Sequence, residues 1–309
     1  MENSIQDRVQ DILTTNDLDF RIEKLKLGAE LPVQLVDAQG DLINGTKKIA
    51  SPFYGLYNTK TGKIINSVKE GYTVSQNAEI VELVLKGMEK FGELSVHKAG
   101  SLNGGKKIFI QLGIEGYSKV GDDRVKRYVT IIDSNDGSSS LSVGIGDFTM
   151  SCSNQFFYFS KKGQSKMRHT ASLEQKMREI PFLIEMALGQ SMEMLELYKK
   201  FSSVGITDNN IHGMVKLQVG LSRLSSTLDV AEASSRVENA MNKLYDQIAI
   251  EVAQKGKNIW GLHSGVTRWT THEKSAPTRT NGRIESAMTS TNYRSNQESL
   301  EFAKELALI

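Results

Sequence analysis

A single cysteine, Cys152, in 309 residues permits no internal disulfide, which points to a reducing compartment. Prolines are as scarce, four in all, so long uninterrupted elements are permitted. No apolar run approaches the roughly eighteen residues of a membrane span. The opening Met-Glu-Asn-Ser-Ile-Gln-Asp is too acidic and polar for a signal peptide. A soluble, intracellular, cytoplasmic chain is therefore expected, with no membrane partner. An excess of one charge is missing too, because the formal net charge is only +2. That value neither demands nor excludes a nucleic-acid partner, for which the distribution of charge matters more than its sum. At 39% hydrophobic and 24% charged, the composition supports one large core or two ordinary ones.

What is present is organised around Tyr128–Thr170. An apolar β-branched run (Tyr128, Val129, Ile131, Ile132) breaks at Asp133-Ser-Asn-Asp-Gly137 and resumes as Leu141, Val143, Ile145, which is the signature of two strands around a turn. The second strand alternates with Ser142, Gly144 and Gly146, so one of its faces is nearly bare and open to close approach. Cys152, the aromatic run Phe156–Phe159 and a basic cluster follow within a few residues. The aromatics read chiefly as core.

Upstream, Ile5, Val9, Ile12 and Leu13 predict a short helix on a loosely held arm. Short β-like runs between Pro32 and Val74 predict hairpins, and Ser75 is placed to cap a helix through Phe91, ended by Gly92. Strands resume around Asn103-Gly-Gly105, read as a hairpin turn because it precedes a strand rather than a helix. After His169 the period becomes helical. Pro181 should start or kink a helix, further helices are expected near 209–224 and 230–252, and Gly256 ends the latter. The Thr-, Ser-, Asn- and Arg-rich stretch from Gly261 to Arg294 predicts an irregular connection, and Ser295-Asn-Gln-Glu298 a capping box before a last helix. The expected fold class is α+β: an antiparallel β-sheet with one embedded helix in the N-terminal half, packed against a helical C-terminal half. Three regions follow: an arm over 1–50, a β-rich domain over 51–170, and a helical region over 171–309 with the irregular Arg- and Trp-containing segment near 257–294.

Positive charge is segregated. Residues 98–127 carry a surplus of four, 161–178 of five and 255–294 of five, so the remainder of a +2 chain must be acidic. If the first two stretches share a side of the sheet, Lys106, Lys107, Arg124, Lys126, Arg127, Lys161, Lys162, Lys166 and Arg168 form the candidate nucleic-acid-binding set, with aromatic rings to stack bases. Lysines guarding strand edges are the alternative. Asp133 and Asp136 do not match a calcium loop, since Gly137 falls where the third ligand belongs, so an Asp and Asn bonding their own turn is the simpler reading. The five histidines show no metal-ligand spacing. Cys152 with His169 as a nucleophile ranks below a small buried thiol. No catalytic residue, metal or cofactor is expected.

Tyr72-Thr-Val-Ser-Gln76, Ala99-Gly-Ser-Leu-Asn-Gly-Gly105, Asp133-Ser-Asn-Asp-Gly-Ser138, Cys152-Ser-Asn154, Arg168-His-Thr170 and Trp260, Val266-Thr267 and His272 form an ordered set. Together, over roughly Pro52–Ala303, they resemble the phage and plasmid-like family known as domain of unknown function 932. The resemblance implies a mobile-element context more than an activity. It leads to the expectation of a DNA-metabolism protein that binds single-stranded DNA in annealing or recombination and forms homo-oligomers. The alternative is a non-catalytic protein that binds a phage or host protein through the helical half and the segment after Lys255. A metal-dependent nuclease on Asp133 and Asp136 ranks last.

Overall fold

The computed structural model describes residues 4–36, 39–40, 42–92, 94–150, 154–159, 166–220, 235–274, 276, 278 and 282–308. Helix α1 (Ile5–Thr15) starts at a capping box in which Ser4 and Asp7 bond each other's backbone. It is no loose arm, because Val9 and Leu13 are buried in the main core against the embedded helix α2 (Asn77–Lys90).

Three antiparallel strands form the first sheet: β1 (Ile22–Val36), β2 (Leu42–Asn58) and β3 (Lys63–Val68). The pattern Ile22-Glu-Lys-Leu25 contains too few apolar residues to announce a strand, yet β1 is long and so is β2. Strand β3 pairs only with the inner end of β2 (Tyr54–Asn58), so outward of Lys26 and Tyr54 β1 and β2 run as a two-stranded ribbon to the turn at Gly40. The β1–β2 hairpin thus passes through residue 50, where the sequence suggests a boundary.

The second sheet comprises β4 (Leu94–Leu102), β5 (Lys107–Ile114), β6 (Ser118–Val120), β7 (Asp123–Ser134), β8 (Leu141–Thr149), β9 (Asn154–Tyr158) and β10 (Lys166–Met167). Its path is β10-β8-β7-β5-β4, with β6 paired to β7 and β9 to β8, all antiparallel. One face carries Ile108, Ile110, Leu112, Val129, Ile131, Val143 and Ile145 into the main core. Helices α2 and α4 (Ile180–Ser203) pack together beside this face, and Pro181 lies in the first turn of α4, where its missing N–H costs nothing. The expected cap is not at Ser75: Gln76 holds that position without a side-chain bond, and the Ser75 hydroxyl is used elsewhere.

The bare face of β8 is filled by its own neighbour. A Cβ on Gly144 would overlap the Tyr158 carbonyl oxygen and lie 2.6 Å from a Phe159 ring carbon, and one on Gly146 would lie 3.0 Å from the Phe157 ring. Phe157 and Phe159 there join Leu102, Phe109 and Ile132 beneath Ala287 and Met288, while Phe156 enters the main core on the opposite face. Core is therefore the role of these three phenylalanines.

The helical half adds α3 (Leu173–Met177), α5 (Asp208–Gln218), α6 (Ser235–Lys255) and α7 (Ile259–Arg268). A π-helical turn (Trp269–Glu273), α8 (Gly282–Thr289) and α9 (Thr291–Leu308) complete it. Much of Gly261–Arg294 is thus helical rather than irregular. The polar residues that hide its period are buried and paired with one another: Thr270 donates to Asn296 at 2.8 Å and Asn292 to the Thr270 carbonyl at 3.0 Å. Ser295 and Asn296 lie inside α9 and do not begin it. The architecture is α+β, with antiparallel sheets in the N-terminal half and helices in the C-terminal half.

Candidate functional site

The two ends of the second sheet differ in chemistry. At the end where β7 turns into β8, four of the recurring motifs meet. Asp133 is fully buried; it accepts a hydrogen bond from the Ser75 hydroxyl and lies 3.0 Å from His169 Nε2. The other ring nitrogen, Nδ1, faces the Thr73 carbonyl oxygen at 3.0 Å. Both nitrogens face oxygen acceptors, an arrangement that favours the doubly protonated ring. Burial alone would lower the His169 pKa, but the Asp133 hydrogen bond and charge, with the Thr73 carbonyl, outweigh it and hold the value above that of a free histidine. Tyr72 stacks on His169 at 4.8 Å and donates its hydroxyl to the Ser134 carbonyl.

Asp136, as its sequence suggests, is tied to its own turn by Ser134 Oγ at 2.8 Å and the Ser138 amide at 2.9 Å. Asn135 reaches instead to the Gly105 carbonyl at 3.1 Å. Gly105 has φ +85°, and a Cβ on it would run into Asn58 and lie 3.2 Å from the Phe20 ring, so the two sheets meet at this glycine. Both ring nitrogens of His169 are engaged, so the imidazole has no free nitrogen to act as a base. The cluster works as a latch joining β3, the segment before α2, the β7–β8 turn and the segment after β10.

At the other end, the face away from α2 and α4 opens into a cleft of about 440 Å³ lined by residues of β4 to β9 and by Ile284 of α8. The register places Lys98 opposite Gln111 and Gln111 opposite Thr130, and two rows along the same face it aligns Lys126, Phe148 and Gln155. Tyr128 and Phe157 flank Gly146 between these rows. His97 lies against the Tyr128 ring at 4.7 Å, and the Lys126 ammonium sits 5.3 Å over the exposed Tyr117 ring. Burial, then the charges of Lys126 and Lys98, lower the His97 pKa. Gln111 is only 8% exposed, borders the cleft, and its amide has no hydrogen-bond partner among the described residues. The Gln155 side chain has none either, its backbone amide alone bonding Thr271.

Of the nine cationic residues picked out by the sequence, Lys126 borders this cleft, and Arg124 is exposed two residues away on the same side of β7. Arg127 alternates to the other face, where it bonds Ser191 of α4 at 3.1 Å. Lys106 and Lys107 sit at the latch end, Lys107 within 3.7 Å of Glu285. Lys166, exposed, pairs with Ser142 in the sheet, and Arg168 is exposed just beyond. Between these and Lys126 the same face is covered by α8, so the cations form no single continuous track. Lys161, Lys162 and Cys152 lie outside the described residues. The sequence reading missed Gln111, although the signal was there: a lone amide inside Lys107-Ile-Phe-Ile-Gln-Leu112, a strand otherwise apolar after its first residue. The segment after Lys255 is largely drawn inward, since Lys255 pairs with Asp123 and with Glu251 at 3.2 Å, and Arg268 with Glu251 at 3.4 Å.

Asp147 also borders the cleft, with its carboxylate accepting the Tyr198 hydroxyl at 2.9 Å. Burial raises its pKa from 3.8 to about 7, against the opposing effects of Tyr198 and Arg127. Between those values the folded chain keeps a proton that the unfolded chain has lost, so stability falls as pH rises through the window and stays lost above it. We expect a loss of roughly 2 kcal/mol between pH 5 and pH 8 from this group alone. Urea titrations of the native chain and Asp147→Asn at both pH values check this, and an equal slope in the two would refute it.

A family model described as Domain of unknown function (DUF932) matches residues 64–301. No curated protein and no solved structure matches the chain. No helix among the described residues is long and apolar enough to cross a membrane. The matched span runs from β3 into α9 and takes in both the latch and the cleft; the chain belongs to the family of the domain of unknown function DUF932.

Proposed function

We propose that this chain is a nucleic-acid-binding protein of phage or plasmid DNA metabolism that takes single-stranded DNA on the open end of its second sheet, in annealing or recombination. The observation that carries this reading is the cleft itself. Ammonium groups of Lys98 and Lys126 stand at a concave surface floored by Tyr128 and Phe157, with Arg124 and Lys119 paired on the adjoining strands. Cations that neutralise phosphates, beside rings that accept the flat faces of bases, are what a single strand requires of a protein. A duplex hides those base faces.

Fluorescence anisotropy with a labelled single strand and a duplex control, across a salt series, tests the reading. The expected result is preference for the single strand, affinity falling steeply with salt, and about tenfold weaker binding for Lys98→Glu combined with Lys126→Glu. Absence of binding at low salt would overturn it.

A second reading, contact with a protein partner or a further copy of the chain, is favoured by the β1–β2 ribbon. Its backbone edges are unshared beyond Gly28, and Leu25, Ile49, Phe53 and Ile64 are exposed on the first sheet. Light scattering of the native chain and of Ile49→Lys distinguishes this reading: a larger native assembly that falls apart in the variant supports it, and a monomer in both refutes it.

A further inference from the structure

Resting on the nucleic-acid reading above, we infer that the cleft holds one unpaired nucleobase, stacked among the rings and hydrogen-bonded along its edge by the Gln111 and Gln155 amides. The phosphates on either side of that nucleotide then fall to Lys98 and Lys126.

Gln111 is 8% exposed, sits in the interior of β5 with its side chain bordering the cleft, and makes no side-chain hydrogen bond among the described residues. Phe109, two residues away on the same face of β5, is fully buried in the second cluster, so that face accepts apolar side chains. Across the cleft Gln155, half-buried, presents a second amide without a side-chain bond among the described residues. Two amides left unpaired around one concavity are explained together if a ligand brings its own donors and acceptors.

The chemistry of that ligand follows from the lining. A primary amide offers one acceptor and two donors, which match the adjacent donor and acceptor on the pairing edge of any base once the amide is turned the right way. Flat aromatic walls (Tyr128, Phe157, Phe148, Tyr117) ask for a flat ligand, and a volume near 440 Å³ lies in the range of small-molecule sites. Lys98 and Lys126 add anionic groups to the description. A flat ring, a donor–acceptor edge and flanking phosphates together describe a nucleotide within a strand. Because the pairing edge is occupied, a base in the cleft is excluded from a duplex, while its neighbours along the strand remain free to pair.

The test compares a labelled single strand with a strand of equal length carrying abasic sites throughout, each against the native chain, Gln111→Leu, Gln155→Leu and Lys98→Glu. The native chain should bind the base-bearing strand on the order of 10-fold more tightly than the abasic one, the scale of stacking one base. The two glutamine variants should each lose several-fold of that advantage, the part that edge hydrogen bonds add to stacking, and keep the affinity for the abasic strand, which also shows that they fold. Lys98→Glu should weaken both strands alike. Equal binding of base-bearing and abasic strands by the native chain, or an undiminished advantage in both glutamine variants, would overturn the inference and leave phosphate binding standing. Failure to bind either strand would overturn both.

Discussion

Replacing Asp133 with alanine is expected to remove about 3–5 kcal/mol of unfolding free energy, seen as an earlier midpoint in a urea titration at pH 7. The size comes from what is left behind. His169 would remain 8% exposed with one N–H still on Thr73 and the other aimed at nothing, and the Ser75 hydroxyl would lose its acceptor. The strained options are to keep a buried, unpaired cation or to lose its proton in a site built for the charged form. His169→Gln, which can still offer donors toward Asp133, should cost less. The same pair predicts that its contribution, present at and below the pKa of a free histidine, fades as pH rises through the higher folded value of His169. A loss below about 1 kcal/mol for Asp133→Ala would show that the latch is not what holds the sheet end together.

Lys255→Met is expected to cost a similar amount, about 3–5 kcal/mol, for the converse reason. Its ammonium, 3% exposed, lies between the carboxylates of Asp123 on β7 and Glu251 on α6, themselves 4% and 0% exposed. Without it, two buried carboxylates lose the ammonium between them, and Glu251 keeps Arg268 at 3.4 Å on its other side. Repulsion joins desolvation. Adding Asp123→Asn to Lys255→Met removes one of the two anions and should recover part of the loss. A double variant no more stable than the single one would indicate that packing of the lysine stem, rather than charge, sets the cost.

Both sites show how far residue patterns alone reach. The hairpin of β7 and β8, the helical period of α2 and α4 and the turn at Asn103–Gly105 are written in local spacing, since alternation and turn chemistry act within a few residues. The strand β1 and the helices α7 to α9 are not. In β1, the alternation of Leu25, Leu27, Ala29, Leu31, Val33 and Leu35 is interrupted by Gly28 and Pro32, residues that read as breakers, so the run does not announce one long strand. In α7 to α9, serines, threonines and asparagines are interior and several bond one another, so the usual equation of polar with exposed fails. The latch was half legible. The motifs holding Tyr72, Asp133 and His169 stand out in order, but that a carboxylate and an imidazole 36 residues apart share a proton is a matter of tertiary register. The cleft was less legible still, because charge counting marks every lysine equally and cannot distinguish Lys126 at the cleft from Arg127 on the opposite face.

The meander of the second sheet sets an order of events during synthesis. Strands β4, β5, β7 and β8 each pair with the strand just made or with one separated from it by a short excursion, so this much of the sheet can zip as the chain emerges, before any of α4 to α9 exists. Asp133 is then already in place on a nascent sheet, while its cation lies 36 residues nearer the ribosome. Until His169 arrives behind β10, that carboxylate has to stay hydrated. The end of the sheet that is most tightly sealed in the finished molecule is therefore among the last to close, and a nascent chain paused before residue 169 should be cut by protease there first.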